Sequence, residues 1–198
     1  MNTATLPHPG PIHSGTRLLT IADVAALPRH LPSGDVRYEL HGGRLIIMSP
    51  PGASHGRRQA RFARYLVSEG EERGHGEAFA EVAVILRRYP DHLVGPDAAF
   101  VTAAQFPVRT SPEGYLVTVP ELVVEVRSKN DTQPEVDEKV NDYLAAGVLL
   151  VWVADPDART VTAHQPGQTP VVFTAIDTLT ALPVIPGFAV LVGDLLPV

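Results

Sequence analysis

Hydrophobic and polar positions divide the chain into short blocks whose period changes from one to the next. In TIADVAALPRHLP, Ile21, Val24 and Leu27 recur at helical spacing, Thr20 stands where a cap belongs, and Pro28 and Pro32 close the segment. That pattern predicts a short helix. VRYELHGGRLIIMSPP then alternates on both sides of Gly42-Gly43, a pair suited to the positive φ angles of a tight turn, and predicts a β-hairpin ending at Pro50. From Ser54 the helical period returns. SHGRRQARFARYLVSEGEERGHG sets Ala60, Ala63, Leu66 and Val67 on an apolar stripe, with Arg57, Arg58, Arg61 and Arg64 largely away from it. GEAFAEVAVILRRYP and HLVGPDAAFV read as two strands turned at Pro90-Asp91, and ELVVEV as the next strand, after a loop containing Pro107, Pro112 and Pro120. PEVDEKVNDYLAAGV predicts a second long helix, with Pro134 in its first turn, acids at its start and Gly147 at its end. VLLVWVADPDARTVTAHQP gives two strands around an Asp-Pro-Asp turn, followed by short strands and a final turn.

Runs as apolar as ELVVEV and LLVWVA suit strands buried on both faces, and the helix between them is long enough for a crossover. The expected fold class is therefore α/β (α+β): a mixed central sheet flanked by helices, with an N-terminal hairpin and extra C-terminal strands. The first seventeen residues carry three prolines and no apolar period, so 1–17 is expected to be a flexible tail and 18–198 a single domain.

Composition narrows the chemistry. The 198 residues include no cysteine, which excludes disulfides, thiolate metal sites and thiol nucleophiles and agrees with a reducing, cytoplasmic setting. The longest apolar run, AAGVLLVWVA, is too short to cross a bilayer, so no membrane partner is expected. A net charge of −6 opposes generic attraction to nucleic acid, and any such contact must use a local basic patch.

One residue breaks the pattern of its block. Glu125 interrupts the apolar run LVVEV, where an unpaired charge costs several kcal/mol by roughly the magnitudes for buried ions. Two readings are open: a salt bridge with Arg127 or Lys139, or a metal ligand. Asp97, after Pro96, and Glu39, in the hairpin strand RYEL, occupy comparable positions. If their strands adjoin, three carboxylates converge at one end of the sheet. With no soft ligand present, such oxygens suit Mg2+ or Mn2+. Lys139, on the helix that returns over the Glu125 strand, is the nearby cation.

The ordered series Tyr38-Glu39-Leu40, Gly43, Ser49-Pro50-Pro51, His55-Gly56, Pro96-Asp97, Pro120 to Val126, Ser128, Lys139, Tyr143, Ala146-Gly147, Trp152-Val153 and Asp155-Pro156 resembles the Uma-type family of restriction endonucleases, within the PD-(D/E)xK nuclease superfamily. The resemblance runs from about Thr20 to the C-terminus. It implies a restriction-endonuclease-like core and a Mg2+-dependent (or Mn2+-dependent) endonuclease acting on DNA. It also implies a site with Asp97 and Glu125 as metal ligands, the Val126 carbonyl as a further ligand, Glu39 as a helper acid orienting water or adding a ligand, and Lys139 as the catalytic cation. His55, Arg57 and Arg127 would contact substrate. The superfamily places its lysine two residues after the acid, where this chain has Arg127, and Arg127-Ser128-Lys129-Asn130 departs from the family's usual Ser-Pro-Ser. Which of Arg127, Lys129 and Lys139 faces the phosphate stays open at this level, with Lys139 expected nearest the carboxylates. Cutting two strands calls for two active sites, hence an expected homodimer. The alternative is a catalytically weak or silent binding and interaction module that keeps the nuclease fold.

Overall fold

The computed structural model describes residues 17–32, 34–129 and 131–197. The tail expected over 1–17 lies outside these residues except for Arg17, whose guanidinium pairs with Asp23 at 2.6 Å. Thr20 caps α1 (Ile21–Ala25) in a reciprocal box with Asp23, as the Thr-x-x-Asp spacing requires. The short strands β1 (His30–Leu31) and β2 (Gly34–Asp35) pair with each other. β3 (Arg37–His41) and β4 (Arg44–Met48) form the hairpin, closed by Gly42 and Gly43 at φ 59° and 81°.

Helix α2 (Ala53–Leu66) runs on into a π-helical turn, Val67–Glu71. Its buried residues are Gln59, Phe62 and Leu66, so the expected stripe through Ala60 and Val67 is corrected. Ala60 is exposed because the large Phe62 ring, carrying far more apolar area than an alanine, fixes the helix phase.

The two strands expected after α2 are four: β5 (Gly76–Ala80), β6 (Val84–Arg87), β7 (His92–Val94) and β8 (Ala98–Thr102). Each predicted strand divides because its halves enter different sheets. A 3-10 turn (Ala103–Gln105) and a loop lead to β9 (Leu122–Val126), then α3 (Gln133–Ala146), which ends at Gly147 with φ 103°. β10 (Leu150–Asp155), β11 (Thr160–His164), β12 (Val171–Phe173), the hairpin β13 (Thr178–Ala181) and β14 (Ile185–Leu191), and α4 (Val192–Leu195) complete the chain.

The main sheet runs β12-β11-β10-β9-β8-β5, mixed, with β9 and β10 parallel and central as their unbroken apolar runs require. Leu122, Val124, Val126 and Trp152 point to the face covered by α2 and the β13–β14 hairpin. Val123, Val151 and Val153 point to the opposite face, where Val140 and Tyr143 of α3 cover them. A second, antiparallel sheet, β4-β3-β7-β6, packs its own core through Leu40, Ile85 and Leu93 against Ile21 and Val24 of α1. Only Gly95-Pro96 separates β7 in this sheet from Asp97, the residue before β8 in the other. No helix among the described residues is long and apolar enough to cross a membrane.

Candidate active site

Register decides which acids meet. β8 and β9 are antiparallel with Ala98 opposite Val124, and the Asp97 N–H donates to the Val124 carbonyl at 3.0 Å. Asp97 stands just before β8, and its carboxylate accepts the N–H of Val126, the residue after Glu125, so the two acids reach the same end of the sheet. Both line an open cleft of about 610 Å³, together with Val126, His55, Gln59 and Lys139.

Each acid is held by a different helix. At Asp97, Oδ2 accepts the Val126 N–H at 2.6 Å, while Oδ1 takes His55 Nε2 at 3.1 Å and the Gln59 amide, both from α2. At Glu125, Oε1 accepts the Tyr143 hydroxyl at 2.5 Å, and Oε2 lies 3.4 Å from Lys139 Nζ, both from α3. Tyr143 and Lys139 are four apart, one helical turn, so they present to the same strand.

Glu39 belongs to the other sheet, not to a strand beside β8 or β9, and reaches the site because the Gly95-Pro96 link draws the two sheets together. Its Oε1 accepts the Gly95 N–H at 2.9 Å and lies 4.0 Å from Lys139 Nζ; its Oε2 meets His41 Nε2 at 2.9 Å. Lys139 therefore sits between two carboxylates on different sheets.

Burial pushes the Glu125 carboxyl up to about 7 against the pull of Lys139, with Asp97 adding repulsion. The Glu125 carboxylate in turn raises Lys139 above its ordinary range and keeps it charged. Burial alone would raise Glu39 too, but His41, Lys139 and the Gly95 N–H together hold it below its usual value. The hydrogen bond to the Asp97 carboxylate raises the His55 imidazole above its usual value.

The remaining expected residues lie further out. Arg127 does not turn to Glu125: its Nη1 reaches Asp155 at 3.3 Å and its Nη2 the Asp131 carbonyl at 3.3 Å. β9 ends at Val126, so strand alternation no longer aims the side chain of Arg127. Lys129 is exposed in the following turn, and Arg57 is exposed on α2. Gln59 and His41 were missed by sequence reasoning. For Gln59 the available signal was an amide in phase with Phe62 and Leu66; for His41 there was only its i+2 spacing from Glu39 in a strand, which puts both on one face.

The oxygen donors suit a hard divalent cation: two carboxylates lining one cleft, and the Gln59 Oε1, buried and without a hydrogen-bond partner. No group of three or more Asp, Glu or His side chains forms a ready cation cage among the described residues. The set fits an ion bound through one or two carboxylates and otherwise by water, the mode usual for Mg2+.

A family model described as "Putative restriction endonuclease", Uma2, matches residues 23–196. The chain belongs to the Uma2 family. Its family thus groups it with nucleases. Among solved structures, a crystal structure of a "putative nuclease" from Anabaena variabilis superposes with a TM-score of 0.72 at 22% identity, covering 90% of this chain and 97% of that one. This likeness concerns the fold, a mixed sheet flanked by helices. A cryo-electron-microscopy structure of a DrdV–DNA complex matches at a TM-score of 0.31 and 16% identity, over 60% of this chain and 12% of that one, a level that carries no argument. No curated protein matches the chain.

Proposed function

We propose that this Uma2 protein is a cytoplasmic endonuclease that hydrolyses DNA phosphodiester bonds with Mg2+ or Mn2+. The observation that carries the reading is the convergence of Asp97 and Glu125 on one open cleft, with Lys139 held against Glu125. Asp97, Glu125 and the Val126 carbonyl would hold the cation. When bound, it supplies charge to an attacking water and to the phosphate oxygens.

The chain's own groups do the rest. Val126 N–H, His55 and Gln59 fix the Asp97 carboxylate so that its free lone pairs face the cleft. Tyr143 fixes Glu125 from the other side. Lys139, kept protonated by Glu125, cannot take a proton from water; it stabilises negative charge developing on the phosphate. Glu39, held ionised by His41 and Lys139, can orient water on the far side of that ammonium. His55, whose hydrogen bond with Asp97 raises its pKa, lines the cleft beside that carboxylate. Arg127, paired with Asp155 on the rim, is placed for backbone contact rather than for the reacting centre. A homodimer would bring two such clefts to a duplex.

Calorimetric titration with Mg2+ and Mn2+, followed by cleavage of plasmid, duplex and single-stranded DNA, tests the reading. Wild type is expected to bind the ion and cut; Lys139→Ala loses cutting by about a hundredfold or more, as removal of a transition-state charge partner does. Arg127→Ala changes KM and little else. Metal binding without cleavage of any DNA would favour the silent interaction module.

A further inference from the structure

Beside the polar cleft lies a second lobe of about 420 Å³ that shares Met48, Glu125, Val126, Asp131 and Lys139 with it. The two lobes differ in chemistry. The first carries His55, Gln59, Ser49 and Asp97, groups suited to sugar and phosphate. The second is walled by Ile46 and Met48 of β4, Val136 and Val140 of α3, and Val153 of β10.

Charge says what the second lobe refuses. Its rim carries Glu135 and Glu138, acids that the first lobe lacks, while Lys139 and Arg127 are already matched, Lys139 by Glu125 and Arg127 by Asp155. A phosphate entering there would meet net negative charge. An uncharged, flat group with apolar faces would meet the valine, isoleucine and methionine walls, in a volume within the range of roughly 300–1,000 Å³ usual for small-ligand sites.

We infer that this lobe takes one unstacked nucleobase while the adjoining phosphate lies at Glu125 and Lys139, which makes unpaired DNA the preferred substrate. The inference rests on the nuclease reading for its choice of ligand. Continuity supports it, since a base and its own phosphate must reach adjoining compartments and the two lobes meet at the proposed reacting centre. The acidic net charge supports it as well: a chain at −6 lacks the electrostatic hold on a long duplex, whereas burying a base gains free energy from apolar contact. In a paired duplex the base is stacked and cannot enter without an unpairing cost.

The test is binding, measured by fluorescence anisotropy with Mg2+ replaced by Ca2+ to suppress turnover. The probes are a single-stranded deoxyadenosine octamer, the same strand in duplex, and an octamer of abasic sugar-phosphate units, which keeps the charge and removes the bases. Wild type is expected to bind the deoxyadenosine strand at least about tenfold more tightly than either of the others. Ile46→Trp, on a half-exposed edge position of β4, fills the lobe and should erase that difference without affecting the fold; Val136→Phe, from the opposite wall, should do the same. Equal affinity for the based and abasic strands, tighter binding of the duplex, or a base preference untouched by both variants would overturn the inference. Base discrimination by a wild type that cuts no DNA under Mg2+ would instead sink the nuclease reading and leave the base site standing.

Discussion

Replacing Glu125 by Gln tests the electrostatic account of the site without needing any substrate. Glu125 is almost enclosed, its side chain 15% exposed, and burial carries its carboxyl from an ordinary 4.5 to about 7. Between those values the folded protein holds a proton that the unfolded chain has released. Stability therefore falls as pH rises through that window, and the full loss corresponds to about 3 kcal/mol. Glutamine cannot titrate, yet its amide oxygen still accepts the Tyr143 hydroxyl. The variant should lack this slope. Lys139 loses one of its two carboxylate partners in the variant but keeps Glu39, which favours its charged form, so that loss shifts the curve without tilting it. The stability difference, variant minus wild type, should thus grow in favour of the variant by about 3 kcal/mol from pH 4.5 to pH 8, or roughly 6–12 °C in Tm for a chain of this size. Urea unfolding followed by the fluorescence of Trp152, the single tryptophan and fully buried, gives the measurement in metal-free buffer. A difference that stays flat with pH, or one that grows toward wild type, would refute the claim that burial rather than ion pairing governs Glu125.

Three further outcomes follow from other contacts. Tyr143→Phe removes the hydroxyl that donates to Glu125, so it should raise the Glu125 pKa further and cost about 1–2 kcal/mol above pH 7; an unchanged titration in carboxyl-labelled NMR spectra would contradict that. Asp97→Asn should weaken Mg2+ binding at least tenfold by calorimetry while the far-ultraviolet circular dichroism stays native, and an unaltered affinity would take Asp97 out of the metal site. Gly76→Ala should cost about 3 kcal/mol or more, because the added Cβ would stand 2.1 Å from the Val101 carbonyl oxygen and 2.8 Å from the Phe100 ring; a melting temperature within 2 °C of wild type would show that β5 and β8 are less tightly apposed than described.

Local pattern determined a good deal of this protein by itself. Gly42-Gly43 dictates the hairpin because few residues other than glycine take two successive positive φ angles cheaply, and the unbroken apolar runs of β9 and β10 dictate burial on both faces at the sheet centre. The helix between them, with Pro134 near its start and Gly147 at its end, fixes a parallel crossover. The same pattern marks Glu125 as discordant, a carboxylate inside an apolar run, with Arg127 two residues on as the sequence neighbour that could answer it. What answers the charge is tertiary. The pairing of β8 with β9 brings Asp97 to the Glu125 end of the sheet, and that pairing joins residues 22 to 26 apart in the chain. The division of two predicted strands into four depends on two sheets competing for one chain, and the Gly95-Pro96 link between them carries Glu39 to a site its own sheet does not contain. Gln59 comes to Asp97 only because Phe62 sets the phase of α2 on the sheet beneath it, and Arg127, aligned with Glu125 by strand spacing, turns away because β9 ends one residue earlier. Period and burial are properties of a segment, but the meeting of charged groups is a property of how segments pack.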